Sequence, residues 1–202
     1  MDPRDAISRI EQIRENLARA EVFRVYRGAS VAFTGAMAFA GAVIQSQWNL
    51  SDPESFLLLW LVIAAICMAV IAIEMIVRCR WSDSVLLREA AIVASRQFVP
   101  SVIAGGLLTL VIRRFVPDAI HLLPGLWAIV FGLGVFASRP GLPRAISFAG
   151  AWYLLTGLLT IAYAHNRESF EIWPMPLSFG VGQLLTSVIL YLCTERDHAT
   201  QE

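Results

Sequence analysis

An all-α, polytopic membrane protein with six transmembrane helices is the fold class this sequence predicts, on three observations. Five stretches carry no Asp, Glu, Lys or Arg, at 28–51, 55–73, 119–138, 145–166 and 172–194, and a shorter sixth lies at 97–112. The five are of the length that spans about 30 Å of hydrocarbon, for which roughly 20 apolar residues suffice. Apolar residues make up 57% of the 202-residue chain and the mean hydropathy is +0.63, whereas soluble domains sit near roughly 45–50% apolar. The third observation is an uneven division of arginine between alternate connections, which gives the chain a direction.

All sixteen basic residues are Arg. With the N-terminus inside, only Arg113, Arg114 and Arg167 fall in outer segments, and every other arginine is cytoplasmic. Loops rich in basic residues stay on the cytoplasmic side. Both termini are therefore expected in the cytoplasm, with an even number of spans in a cell inner membrane. The first 27 residues hold six arginines and no apolar run, so they do not read as a secretory signal peptide.

Residues 1–27 read as a cytoplasmic amphipathic helix, 28–196 as the six-helix transmembrane domain and 197–202 as a short cytoplasmic tail. In the first, Ile7, Ile10, Ile13, Leu17, Ala20 and Val25 recur at helical spacing between charges of both signs. A helix seated only on a membrane surface is more uniformly basic, so docking on the bundle, self-association and a partner helix all fit this mixed face. Span one follows with Gly28, Ala32, Ala36 and Ala40 at every fourth position, a stripe that lets helix backbones approach closely.

After span two, Ser82-Asp83-Ser84 supply N-caps for a second cytoplasmic amphipathic helix, with Val85, Leu86, Ile92 and Val93 set against Arg88, Glu89 and Arg96. Pro100 marks the boundary near which span three is expected to begin. Gly105-Gly106 lies in the middle of that span. Arg113-Arg114 arrives so early that the span must continue through Phe115 and Val116, leaving the pair to snorkel to the headgroups or face a polar interior. Spans four and five are joined by Arg139-Pro140-Gly141-Leu142-Pro143-Arg144, too short a turn to let them separate. An antiparallel hairpin is expected, with His121 and His165 at similar depth on the outer side. Span six carries Ser178, Gly182 and Thr186 at four-residue spacing, and Trp48, Trp60, Trp81 and Trp173 lie near span ends, where aromatic anchors sit.

The usual catalytic handles are missing. There is no G-x-S-x-G, H-E-x-x-H, Walker A loop or dinucleotide fingerprint, so the chain leans away from enzymes and no cofactor is expected. Cys67, Cys79 and Cys193 fit neither a disulfide framework nor a zinc pattern. A net charge of zero gives no pull towards nucleic acid. What remains are polar groups placed where they cost most. Glu74, a carboxylate inside span two, either pairs with Arg78 one turn on or joins Arg113 and Arg114 along an ion or substrate path. His121 and His165, if they meet across the hairpin, make a metal-binding or pH-sensing pair.

The opening helix from Asp5 to Arg14, the glycine- and alanine-rich first span, the Leu123-Pro124-Gly125-Leu126-Trp127 start of span four and Phe179-Gly180-Val181-Gly182-Gln183 in span six together resemble a loosely defined set of six-span bacterial membrane proteins of comparable length. The resemblance covers most of the chain and implies the fold, without implying an activity or a site residue. The expected function is that of a membrane sensor or an interaction and regulatory partner, because two amphipathic helices accompany spans with little catalytic machinery. A small transporter or channel comes second and an intramembrane enzyme third. Expected partners are the lipid bilayer and either a protein or a second copy, engaged through residues 1–27 and the small-residue helix faces.

Overall fold

The structure, a computed structural model, describes residues 28–50, 52–81, 85–138, 145–164 and 170–199. The expected helix within 1–27, the caps at 82–84, the turn at 139–144 and His165 lie outside the described residues. Within them the elements are α1 (Gly28–Gln47), α2 (Pro53–Trp81), α3 (Val85–Phe115), a 3-10 turn (Pro117–Leu122), α4 (Leu123–Ala137), α5 (Ile146–Ala164), a π-helical turn (Pro176–Val181) and α6 (Gly182–Ala199). Among the described residues five segments are long and apolar enough to cross a membrane: Gly28–Gln47, Pro53–Trp81, Ser95–Phe115, Pro117–Ala137 and Ile146–Ala164. The apolar part of the last helix, Pro176–Leu192, is shorter. Length and composition thus mark a helical, multi-pass membrane protein.

The corner between α1 and α2 is built from local chemistry. Asn49 takes a left-handed φ of 48°, and the Leu50 N–H reaches back to the Gln45 carbonyl at 3.1 Å, a reversal that closes helices where Gly or Asn can turn left. Asp52 then starts α2. Its carboxylate accepts the Ser55 N–H at 2.9 Å, and Pro53 occupies the first helical position, where no N–H is required. The hydrogen bonds from the Ser55 backbone and side chain hold the Asp52 carboxyl below the usual carboxylate range.

The stretch of α3 that is apolar enough to cross a membrane begins at Ser95, near the expected boundary at Pro100. The helix itself runs unbroken from Val85 to Phe115 with Pro100 inside it, so span three and the segment before it are one helix. A proline removes a single backbone donor, and inside a membrane neighbouring groups and small local adjustments re-satisfy what it frees.

Neighbouring helices run antiparallel, and glycine decides which of them touch most closely. On α4 and α5, Gly125 faces Gly157 and Gly132 faces Gly150. A Cβ built on Gly125 would sit 2.7 Å from the Gly157 carbonyl oxygen, and one on Gly157 would sit 2.8 Å from that of Gly125. Spans four and five are therefore antiparallel neighbours, as expected, and in backbone contact. α6 closes back on α1 in the same manner: Gly28 lies against the Ser187 carbonyl and Gly35 against the Gly180 carbonyl, each 3.1 Å from the Cβ position. Ser187 Oγ also donates to the Gly28 carbonyl at 2.7 Å. The start of α1 and the body of α6 thus share one end of the bundle, called here the entry end; the other is the far end.

The face that α1 buries carries Val31, Thr34, Gly35, Ala38, Gly41, Ala42 and Gln45. Ala36 and Ala40 from the expected four-residue stripe are exposed. Two clusters fill the interior. In the entry half, Phe131 and Tyr153 pack at 4.8 Å between ring centroids, with Phe98 and Phe179 around them and Val31, Val135, Ile146 and Leu190 alongside. In the far half, Phe56, Trp60, Leu123, Ile112 and Met175 form a second cluster. Hydroxyls on the spans are mostly spent locally: Thr109, Thr156, Thr160 and Thr186 each donate to the carbonyl four residues back at 2.8 Å, which satisfies them without breaking the helix.

Candidate functional site, a slot between the second and third helices

α2 and α3 are joined at both ends by side-chain contacts. At the far end Arg113 Nη2 meets Glu54 Oε2 at 2.8 Å, with both side chains more than half exposed. Such surface ion pairs contribute only about 0–1 kcal/mol. At the entry end Ser95 Oγ donates to Met75 Sδ at 3.6 Å, a bond to a weak acceptor.

Helix geometry shows what lies between these two pins. Ser95 and Arg113 are eighteen residues apart, five full turns, so they project from one face of α3. That face carries Val99, Val102 and Gly106. On α2, Glu54, Leu61, Met68 and Met75 recur every seven residues, which returns nearly to the same face after two turns. In antiparallel register Met68 stands opposite Val102, and Leu61 opposite Gly106. Yet Leu61, Met68 and Val102 remain 44%, 42% and 37% exposed, and nothing lies within 4 Å of the Cβ position on Gly106. Over about 27 Å at 1.5 Å rise per residue, the stripes of α2 and α3 between these contacts thus carry exposed apolar side chains, which we read as an apolar slot open towards the bilayer. Arg80 and Arg96 are exposed near its entry mouth. Arg114 is exposed beside its far mouth, with its guanidinium carbon 5.8 Å from the Phe115 ring centroid.

Of the residues singled out in the sequence, Arg113 and Arg114 flank this slot, and Glu74 lies at its entry end. The Glu74 carboxylate accepts a hydrogen bond from Ser30 Oγ, which ties α2 to the first turn of α1. The Arg78 side chain, expected as its partner, lies outside the described residues. His121 sits in the 3-10 turn rather than on the α4 helix. It lines a far-end cavity of about 20 Å³ with Glu171, Thr160, Tyr163, Phe56 and Phe170, room for one water. Among the described residues no group of three His, Cys, Asp or Glu side chains converges as a metal site, and neither Cys67 nor Cys79 is in a disulfide.

Sequence reading missed one polar junction altogether. Gln45 is buried at the far end, where Trp60 Nε1 donates to its Oε1 at 3.1 Å and its own Nε2 reaches the Phe170 carbonyl at 3.4 Å. One uncharged side chain thereby links α1, α2 and the segment leading to α6. The π-helical turn was also unforeseen; there Trp152 Nε1 donates to the Leu177 carbonyl at 3.1 Å, and Gly180 and Gly182 press against the rings of Phe39 and Tyr153. Comparison with models of known protein families, with curated proteins and with solved structures finds no match to this chain.

Proposed function

We propose that the chain is a non-enzymatic membrane sensor or interaction partner, a six-span protein of a cell inner membrane with both termini in the cytoplasm. The observation that carries this reading is the contrast between two kinds of helix contact. α4 with α5, and α6 with α1, meet at glycines in backbone contact, whereas among the described residues α2 and α3 meet through the far-half cluster, an exposed ion pair and one weak hydrogen bond, with exposed apolar side chains between them. A fixed frame carrying one loosely joined helix pair is a two-part device. Any influence that fills or squeezes the slot changes the spacing of α2 and α3 and alters what their ends present to a partner. The direct connection of the two helices through 82–84 puts that change on the arginine-rich side, which the positive-inside rule assigns to the cytoplasm.

The test places nitroxides at Met68→Cys and Val102→Cys, with the native cysteines replaced, in bilayers of increasing thickness. Their separation is expected to shift, while a second pair at Leu133→Cys and Leu155→Cys on α4 and α5 stays constant. Equal behaviour of the two pairs would remove the basis for a sensor.

A small transporter or channel is the second reading, favoured by the Glu74 carboxylate bonded to Ser30 between two spans. Interhelical hydrogen bonds in membranes average about 0.6 kcal/mol, and glutamine keeps an acceptor oxygen for Ser30. Glu74→Gln is therefore expected to change thermal stability in detergent by less than about 1 kcal/mol and to leave membrane proton flux unaltered. A mutant that folds normally but abolishes a proton-coupled flux would put the transporter reading first.

A further inference from the structure

We infer that the far-end cavity binds one structural water, which accepts a hydrogen bond from His121, donates to Thr160 and Glu171, and so ties the 3-10 turn, α5 and the segment before α6 into one joint. Size is the first requirement. The cavity measures about 20 Å³, where roughly 10–15 Å³ suffices for one water. The second requirement is roughly two to four polar partners. His121, Thr160 and Glu171 line the cavity from three different elements. Apolar cavities of this kind stay dry, whereas polar ones take up water.

Donors and acceptors match as well. Thr160 is 2% exposed, and its hydroxyl hydrogen goes to the Thr156 carbonyl at 2.8 Å, so its oxygen is left to accept. An ionised carboxylate also only accepts, and its roughly four acceptor sites let Glu171 serve a water alongside any other partner. Two acceptors facing one space cannot satisfy each other; something between them must bring hydrogens. A water brings two, and a neutral imidazole donates a third through one ring nitrogen. Phe56 and Phe170 close the apolar side of the cavity, stacked with ring centroids 4.4 Å apart. Phe170 also gives its carbonyl to Gln45 at 3.4 Å, so this joint shares a residue with the Gln45 junction. Water and glutamine together link every element that meets at the far end around Phe170.

The experiment crystallises the full-length protein from a lipidic mesophase at a resolution that shows ordered solvent. One solvent peak is expected within about 2.5–3.2 Å of a His121 ring nitrogen, a Glu171 carboxylate oxygen and Thr160 Oγ1. No peak there, or an anomalous signal that marks a metal ion in its place, would overturn the assignment. Thermal unfolding in one detergent gives an independent readout. Thr160→Val and His121→Leu each remove one partner of the water. Each is expected to lower the melting temperature by about 2–4 °C, the shift that one hydrogen bond gives in a chain of this size. The double variant should lose little more than either single one, because the first change already releases the water that couples them. Losses that simply add would show that the two side chains share no water.

Discussion

Gly157→Ala is expected to destabilise the protein by about 1–3 kcal/mol, the range for forcing a methyl into a filled space, whereas Gly106→Ala is expected to cost nothing. Both changes add the same methyl group to a glycine in a membrane helix. On Gly157 the new carbon would lie 2.8 Å from the Gly125 carbonyl oxygen and 3.0 Å from the Ile129 backbone nitrogen. Both atoms are α4 backbone, which cannot swing aside as a side chain would, so α4 and α5 must move apart along their length. On Gly106 the carbon enters open space, and helix propensity alone favours alanine by up to about 1 kcal/mol. Thermal unfolding in one detergent decides between them, at roughly 2–4 °C per kcal/mol for a chain of this size. Combining Gly125→Ala with Gly157→Ala should cost less than the two separately, because one displacement of the helices relieves both. Equal effects at positions 157 and 106 would mean that the glycine contacts do not hold the frame.

Trp60→Ala should be more damaging still. Trp60 is 2% exposed within the far-half cluster, and burying so large a ring contributes about 3–5 kcal/mol. Its loss also strands the Oε1 of Gln45, for which it is the donor, and an orphaned buried acceptor costs about 1–3 kcal/mol by itself. Trp60→Phe separates the two contributions, since it keeps most of the ring and removes the donor. In a Gln45→Leu background, Trp60→Phe should become nearly neutral. A Trp60→Ala protein within about 0.5 kcal/mol of wild type, the size of an ordinary surface change, would show that this junction does not hold the far end together.

The helices were legible in the sequence because charge is the costliest thing to place in hydrocarbon, and its absence over 28–51, 119–138 and 145–166 marks spans directly. The same scan passes over Gln45, which is polar without being charged. Pro100 lies five residues from where the apolar stretch of α3 begins, but it ends no helix there, because inside a membrane neighbouring groups re-satisfy what a proline frees. The small-residue stripe of α1 was read at the wrong spacing. Small residues sit on every side of that helix, and only the partner selects Gly28 and Gly35, seven residues apart, over Ala36 and Ala40. The slot was hidden for a related reason. Glu54, Leu61, Met68 and Met75 can be picked out at seven-residue intervals, but in a span where nearly every position is apolar no periodicity distinguishes a packed face from an open one. Its existence depends on how two helices diverge between their ends, and divergence leaves no mark in composition. Gly105-Gly106 was the nearest signal, and what it signalled was room.

The separation of α2 and α3 along their length is measured most directly by disulfide trapping in native membranes, with Cys67, Cys79 and Cys193 replaced. A disulfide forms only where Cα atoms come within about 7 Å. Met75→Cys with Ser95→Cys should cross-link the faster of two pairs, since the Met75 sulfur already reaches Ser95. Met68→Cys with Val102→Cys should resist the same oxidant and be joined only by a longer bifunctional reagent. If the Met68 and Val102 pair oxidises as fast as the Met75 and Ser95 pair, α2 and α3 are packed throughout and there is no slot.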